Sequence, residues 1–124
     1  MKNQTITILR IRPGEPPETV TIPNTLESLQ SEVGGMIQAI YPFLEEAAIV
    51  CNDEAKLIGL PLNRALTDED GNIYDIIAGT FLLVGLREDD FASLSPELSA
   101  KFAKRFARPE AFMRMDGRIA VIRM

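Results

Sequence analysis

Histidine and tryptophan are absent from this sequence, and cysteine occurs only once, as Cys51. Without histidine there is no Ser-His-Asp or Cys-His activation of a nucleophile, no histidine-based metal site and no histidine as general base near neutral pH. A single cysteine excludes an internal disulfide and a zinc site built from several cysteines. An enzyme of this composition would have to work with carboxylates, lysine, arginine or tyrosine.

The sequence also lacks an apolar run long enough to cross a membrane. The longest, IIAGTFLLVGL at residues 76–86, has 11 residues, whereas a transmembrane helix needs about 20. The first residues enter an alternating pattern directly, without the apolar segment and cleavage site of a signal peptide. These features predict a cytoplasmic protein with no membrane partner.

The rest of the composition is typical of a globular protein. The chain has 124 residues, 46% of them hydrophobic and 25% charged, so one domain over residues 1–124 is expected. The net charge of −5 is unevenly distributed: residues 1–97 carry 16 acidic and 6 basic side chains, and residues 98–124 carry 2 acidic and 7 basic ones. The basic end either neutralises the acidic body or marks an interaction surface.

The first half of the chain reads as strands around one short helix. TITILRIRP alternates and is rich in β-branched residues, PGEPP turns the chain, and ETVTIP returns as a second strand. NTLESLQSEVGG predicts an amphipathic helix with Asn24 as its N-cap and Gly34-Gly35 as its end. MIQAIYPF and AAIVCND predict a further hairpin, in which Cys51 is a small buried residue rather than a reactive thiol.

The second half supplies the most apolar strand and a second helix. IYDIIAGTFLLVGL predicts the central strand, with Gly79 as a bulge or a point of close backbone approach. In SLSPELSAKFAKRFARP, Ser95 caps a helix that has Pro96 at its first position. The end of the chain turns at Asp116-Gly117 and adds an edge strand. Together the elements predict an α+β fold, a mainly antiparallel sheet with two covering helices.

The segment KLIGLPLNRAL, residues 56–66, combines polar and apolar residues. Gly59 and Pro61 predict a structured loop with one helical turn at LNRA. In the structural interpretation, Asn63 satisfies local backbone groups and Arg64 pairs with a carboxylate, either Asp53, Asp68 or Asp75. In the functional one, Lys56 and Arg64 form a cationic spot for an anionic ligand, and the candidate ligand-binding residues are Asn52, Lys56, Asn63, Arg64 and Asp75.

Two charged regions offer further interpretations. The second helix and its end carry the nucleic-acid candidates Lys101, Lys104, Arg105 and Arg108, although an apolar stripe also fits an ordinary surface helix. The acidic stretches fit solvated turns, or a face that imitates nucleic-acid phosphate toward a basic partner. TDEDGN fails as an EF-hand, because its first and twelfth ligand positions would be Leu66 and Ile77, so it predicts a turn and no metal site.

Several segments, in this order and spacing, resemble a known family: NTLESLQSEVGG followed by YPF, KLIGLPLNRAL, DGNIYDIIAGTFLLVGL and FASLS. They are similar to the small domains of domain-of-unknown-function family 3846. The resemblance covers about residues 4–106 and leaves residues 107–124 as a C-terminal extension. It implies a small stand-alone or fused protein of bacterial and phage mobile elements, and it attaches no activity to the motifs.

The leading hypothesis is therefore a binding or regulatory module without a cofactor, which acts through protein–protein or anionic-ligand contacts. It leaves the partner unidentified and is compatible with a homodimer. One alternative is a nucleic-acid-associated accessory protein that uses the basic helix. The other is a small histidine-independent enzyme, whose candidate pocket would combine Lys56, Arg64, Asp70, Tyr74 and Asp75.

Overall fold

A computed structural model of the protein describes residues 4–124. These residues form ten strands and two helices, and every strand pair is antiparallel. The protein is therefore an α+β protein dominated by sheet, as the sequence predicts. The elements are β1 (Thr5–Ile11), β2 (Glu18–Pro23), α1 (Leu26–Val33), β3 (Ile37–Ile40), β4 (Ala47–Asn52), β5 (Leu62–Thr67), β6 (Ile73–Ala78), β7 (Phe81–Arg87), β8 (Asp90–Ala92), α2 (Pro96–Arg105), β9 (Glu110–Met115) and β10 (Arg118–Arg123).

Strand β7 lies at the centre of the main sheet. The sheet has six strands in the order β2-β1-β7-β4-β3, and β8 pairs with the end of β7. The first five residues of β7 are all buried, which is the environment expected of a central strand covered on both faces. Strands β5 and β6 form a separate two-stranded sheet, and so do β9 and β10.

The two helices cover opposite faces of the main sheet. Successive residues of a strand point to opposite faces, so Phe81 and Leu83 belong to one core cluster while Leu82 and Val84 belong to the other. Helix α2 and its C-cap close the first cluster with Phe102 and Phe106, and β5 and β6 add one buried side chain each. Helix α1 closes the second cluster. The predicted arrangement of a sheet with two covering helices is confirmed.

The helix ends follow local signals, with one difference at α1. Its N-cap is Thr25, whose hydroxyl accepts a hydrogen bond from the Ser28 amide at 3.1 Å. The prediction of Asn24 is wrong, because that side chain is buried and donates to the Phe91 carbonyl at 3.2 Å. Gly34 ends α1 with a φ of 79°. Helix α2 begins as predicted, with Ser95 as N-cap and Pro96 in its first turn.

Three sequence expectations need correction. LNRA is not a helical turn but part of β5, whose backbone pairs with β6 across the predicted turn at Asp70-Gly71. IYDIIAGTFLLVGL is not one strand, because Gly79 adopts a φ of 75° and separates β6 from the central β7. The end of the chain turns at Asp116-Gly117, but it forms the two-stranded β9–β10 hairpin instead of adding one edge strand.

Helices α1 and α2 have 8 and 10 residues. Within residues 4–124, no helix combines the length and the apolar character needed to span a membrane.

Candidate functional site

Asn63 and Arg64 lie side by side in the interior, at a β-bulge of strand β5. The register with β6 shifts between Leu62 and Arg64, which leaves Asn63 as the extra residue. A bulge bends the strand and re-aims its side chains, and both Asn63 and Arg64 are fully buried. The bulge thus explains how two consecutive polar residues enter the interior.

The Arg64 guanidinium binds carbonyl oxygens in place of a ligand. Its Nε and Nη2 donate to the Phe106 carbonyl at 3.3 and 3.1 Å, and Nη2 also donates to the Glu15 carbonyl at 2.6 Å. Nη1 donates to the backbone oxygen and to Oδ1 of Asn63, at 3.3 and 2.8 Å. The Asn63 amide nitrogen in turn donates to the carbonyls of Ile11 and Gly79. The pair therefore ties four separate parts of the chain together.

Two predictions about Arg64 are wrong. It forms no ion pair with Asp53, Asp68, Asp75 or any other carboxylate of residues 4–124. It also does not join Lys56 in one cationic spot, since its partners are backbone carbonyls and Asn63. Burial lowers the pKa of the Arg64 guanidinium, and the charge of Glu110 opposes this effect.

The other three ligand candidates do come together. Asn52, Lys56 and Asp75 line one small cavity of about 180 Å³, below the 300–1,000 Å³ typical of ligand sites. Asn52 is buried. Its side-chain nitrogen donates to the Val33 carbonyl at 3.2 Å and its side-chain oxygen accepts from the Glu54 amide at 2.8 Å, so both polar atoms already form hydrogen bonds within the protein. Lys56 Nζ and Asp75 Oδ1 form a surface ion pair at 2.9 Å.

Cys51 also lines this cavity. Its side chain is buried in β4 and its thiol contacts the Gln38 carbonyl at 3.7 Å. Burial, with smaller contributions from Asp75 and Asp53, raises the pKa of the Cys51 thiol. A raised pKa lowers the thiolate fraction at neutral pH, so this side chain behaves as a packing residue.

The nucleic-acid candidates of α2 are mostly engaged by the protein itself. Lys101 pairs with Glu45, and the Arg105 guanidinium lies 5.1 Å from the Phe43 ring centre and 5.5 Å from that of Phe106. Arg108 Nε donates to the backbone oxygen of Met124 at 2.9 Å. Lys104 is exposed and has no ion pair with the part of the chain that the structure describes. The four cations do not form one open basic surface.

The candidate enzyme pocket does not assemble either. Asp70 and Tyr74 line a depression next to α2, together with Lys101 and Arg105. Tyr74 also lies near Lys56 and Asp75 in a second groove. Arg64 lies in neither of these sites. Among residues 4–124, no group of three or more histidine, cysteine or carboxylate side chains is placed to hold a metal ion.

The second groove is larger than the cavity at Asn52, and most of the side chains that line it are apolar. It has a volume of about 520 Å³ and lies between the β5–β6 sheet and the β9–β10 hairpin. Five apolar side chains line it: Leu60, Leu62, Ile73, Ile76 and Ile119. Lys56, Tyr74, Asp75 and Arg114 supply its polar groups. An apolar space with a few polar groups is the usual composition of a ligand site.

The β9–β10 hairpin has an inner and an outer face. Directly paired residues share a face, so Phe112 with Val121 and Arg114 with Ile119 form the inner face, which turns toward the groove. The outer face contains the pairs Ala111 with Ile122, Met113 with Ala120 and Met115 with Arg118. Met113, Met115 and Ile122 are 50, 56 and 47% exposed. The outer face is thus apolar and open to solvent.

Glu110 attaches this hairpin to β5. Its Oε1 accepts a hydrogen bond from the Ala65 amide at 2.8 Å, and its side chain is only 8% exposed. Its Oε2 lies 3.8 Å from Arg123 Nε on the paired strand. One carboxylate therefore connects β5, β9 and β10 and fixes the hairpin beside the groove.

Comparison with protein families places this geometry in context. The family model for Domain of unknown function (DUF3846) matches residues 6–107 of the 124-residue chain. The chain belongs to the DUF3846 family. Neither the curated proteins nor the solved structures compared with it include a match. The part matched to DUF3846 contains the main sheet, both helices and the β5–β6 sheet, whereas β9 and β10 lie beyond it.

Several of the site residues missed from the sequence belong to this last hairpin. Arg114 and Ile119 line the groove, and Met113, Met115 and Ile122 form the outer face. Two alternating segments flank the Asp116-Gly117 turn, and this pattern predicts a hairpin. The signal was present, but a hairpin with apolar residues on both faces does not reveal which face is covered.

Proposed function

We propose that this DUF3846 member is a non-enzymatic binding module whose outer β9–β10 face docks a protein partner. The observation that supports this proposal most directly is that Met113, Met115 and Ile122 are exposed to solvent on the same face of the hairpin. Exposed apolar groups that lie together favour an interaction site, and flexible methionines adapt to different partner surfaces. Among residues 4–124, β10 pairs only with β9, so its free edge could also accept a partner strand.

The charge of the hairpin suggests the chemistry of that partner. Arg118 lies on the outer face opposite Met115 and forms no ion pair within residues 4–124, and residues 110–123 carry three basic side chains against two acidic ones. Electrostatic complementarity favours a partner of opposite sign. The proposed partner is therefore an extended protein segment with apolar side chains flanked by aspartate or glutamate.

The alternative functions have weaker support. Binding of nucleic-acid phosphate requires open cations, whereas Lys101 is paired with Glu45 and the Arg105 guanidinium lies close to two phenylalanine rings. An enzyme would need its polar groups in one pocket, and Arg64 lies apart from Lys56 and Asp75. We also propose that the protein is cytoplasmic and is associated with mobile elements. The first is expected from the sequence and the second from the family resemblance.

Site-specific photocrosslinking in cells tests the docking face. A photoreactive amino acid replaces Ile122 in the full chain, and the matched control replaces Leu26 on α1, which is 52% exposed against 47% for Ile122. We expect one discrete adduct from position 122 and none from position 26. Sequencing of the crosslinked peptide should give a segment of apolar and acidic residues, and Arg118→Glu should abolish the adduct.

Three outcomes would contradict the proposal. Equal adducts from both positions would show nonspecific capture. A nuclease-sensitive adduct would favour the nucleic-acid alternative. An adduct of two 13.8-kDa chains would make the outer face a homodimer contact rather than a site for another protein.

A further inference from the structure

We propose that the inner groove between β5–β6 and the β9–β10 hairpin binds a small amphiphilic carboxylate, a site separate from the outer docking face. The groove measures about 520 Å³, within the 300–1,000 Å³ of typical small-molecule sites. Its apolar wall is built from both elements, with Leu62, Ile73 and Ile76 from β5–β6 and Ile119 from the hairpin. This composition suits an aliphatic or aromatic body.

The charged side chains of the groove determine which ligand charge it favours. Lys56 and Arg114 contribute two positive charges and Asp75 one negative charge. Lys56 is paired with Asp75 at 2.9 Å, whereas Arg114 is exposed and forms no ion pair within residues 4–124. One positive charge thus remains uncompensated at the groove, which matches a monoanion better than a dianion. The planar fork of Arg114 fits a carboxylate through two parallel hydrogen bonds.

Arg114 is placed for this role by the register of the hairpin. It pairs with Ile119 on the inner face, while Arg118 pairs with Met115 on the outer face. The two arginines flank the same Asp116-Gly117 turn, but only Arg114 lines the groove. Arg114 and Arg118 therefore carry the same charge on opposite faces of the hairpin, so Arg118 can serve as the control for Arg114.

Nuclear magnetic resonance titration of the full chain with decanoate tests this site. We expect saturable shifts of the methyl signals of Leu60, Leu62, Ile73 and Ile119, and little change in the methyl signals of the main-sheet core. Decanol, which has the same body without the charge, should bind more weakly. Arg114→Gln should weaken decanoate binding by about tenfold, the equivalent of one charge-assisted contact, and Lys56→Gln should also weaken it.

Arg118→Gln is the control and should leave decanoate binding unchanged. The proposal is overturned if decanoate causes no saturable shifts, if decanol binds as tightly as decanoate, or if the two arginine variants lose affinity equally. Because the docking proposal depends on Arg118 and the outer face, failure of one experiment leaves the other proposal standing.

Discussion

At the scale of single residues, Arg64 is the most unusual side chain of this DUF3846 member. A buried charge without a partner is strongly unfavourable, yet the fully buried guanidinium forms five hydrogen bonds to oxygen atoms. Two of its acceptors, the carbonyls of Glu15 and Phe106, come from the β1–β2 turn and the end of α2. Where these two irregular segments approach β5, the Arg64 side chain therefore supplies the hydrogen-bond donors that backbone amides supply in regular secondary structure.

Replacement of Arg64 by methionine should destabilise the fold by roughly 3 kcal/mol, because it leaves several buried carbonyl oxygens without donors. Urea unfolding followed by circular dichroism measures the loss. Arg64→Lys should recover only part of it, since one ammonium cannot reach all of the acceptors that a guanidinium does. The control is Arg87→Met at an exposed position, where a change within about 0.5 kcal/mol is expected. If Arg64→Met and Arg87→Met lowered the free energy of unfolding equally, water would be hydrogen-bonding to the carbonyls that Arg64 leaves, and the assigned role of Arg64 would be wrong.

At the scale of elements, the sequence predicts those that depend on local signals. The β1–β2 hairpin follows from two β-branched segments around PGEPP, and α2 follows from Ser95 with Pro96. Both signals lie within the segment that they specify, because turn and cap residues act through their own backbone conformation and hydrogen bonds.

Elements that depend on distant partners are predicted less well. LNRA becomes a strand because it pairs with β6, and no local signal specifies that pairing. Arg64 reaches the Phe106 carbonyl, 42 residues away along the chain, so its acceptors cannot be deduced from its neighbours. The candidate site has the same limitation: Lys56 and Asp75 line the groove as ligand candidates, but its second cation, Arg114, comes from another part of the chain.

Glu110 gives a prediction at the scale of one element. Glu110→Ala removes the acceptor of the Ala65 amide, so the β9–β10 hairpin should open more often. Amide hydrogen exchange measures this: hairpin amides should exchange about tenfold faster, while β7 amides keep their protection. Glu110→Gln is the matched control, because its amide oxygen can still accept this bond. Equal effects of both variants, or an equal loss in β7, would contradict the assigned role.

At the scale of the whole molecule, the hydrophobic core and the proposed binding surfaces occupy different parts of the chain. The buried residues of both core clusters lie between Ile6 and Phe106, and the DUF3846 match covers nearly the same range, residues 6–107. Strands β9 and β10 contribute no buried side chain to either cluster. Because burial of apolar surface is the main stabilising term, we expect the fold to form without the hairpin.

A chain shortened to residues 1–109 tests this division. It should unfold cooperatively in urea, with a smaller m value than the full chain because less surface is exposed on unfolding. Its stability should be lower, since the Ala65 amide loses Glu110 and the groove side of β5–β6 becomes exposed. It should also lose saturable decanoate binding, while the full-length Glu110→Gln control keeps it. A noncooperative transition would mean that the hairpin belongs to the folding unit. The apolar residues of β9–β10 would then be needed for the stability of the fold rather than for binding a partner.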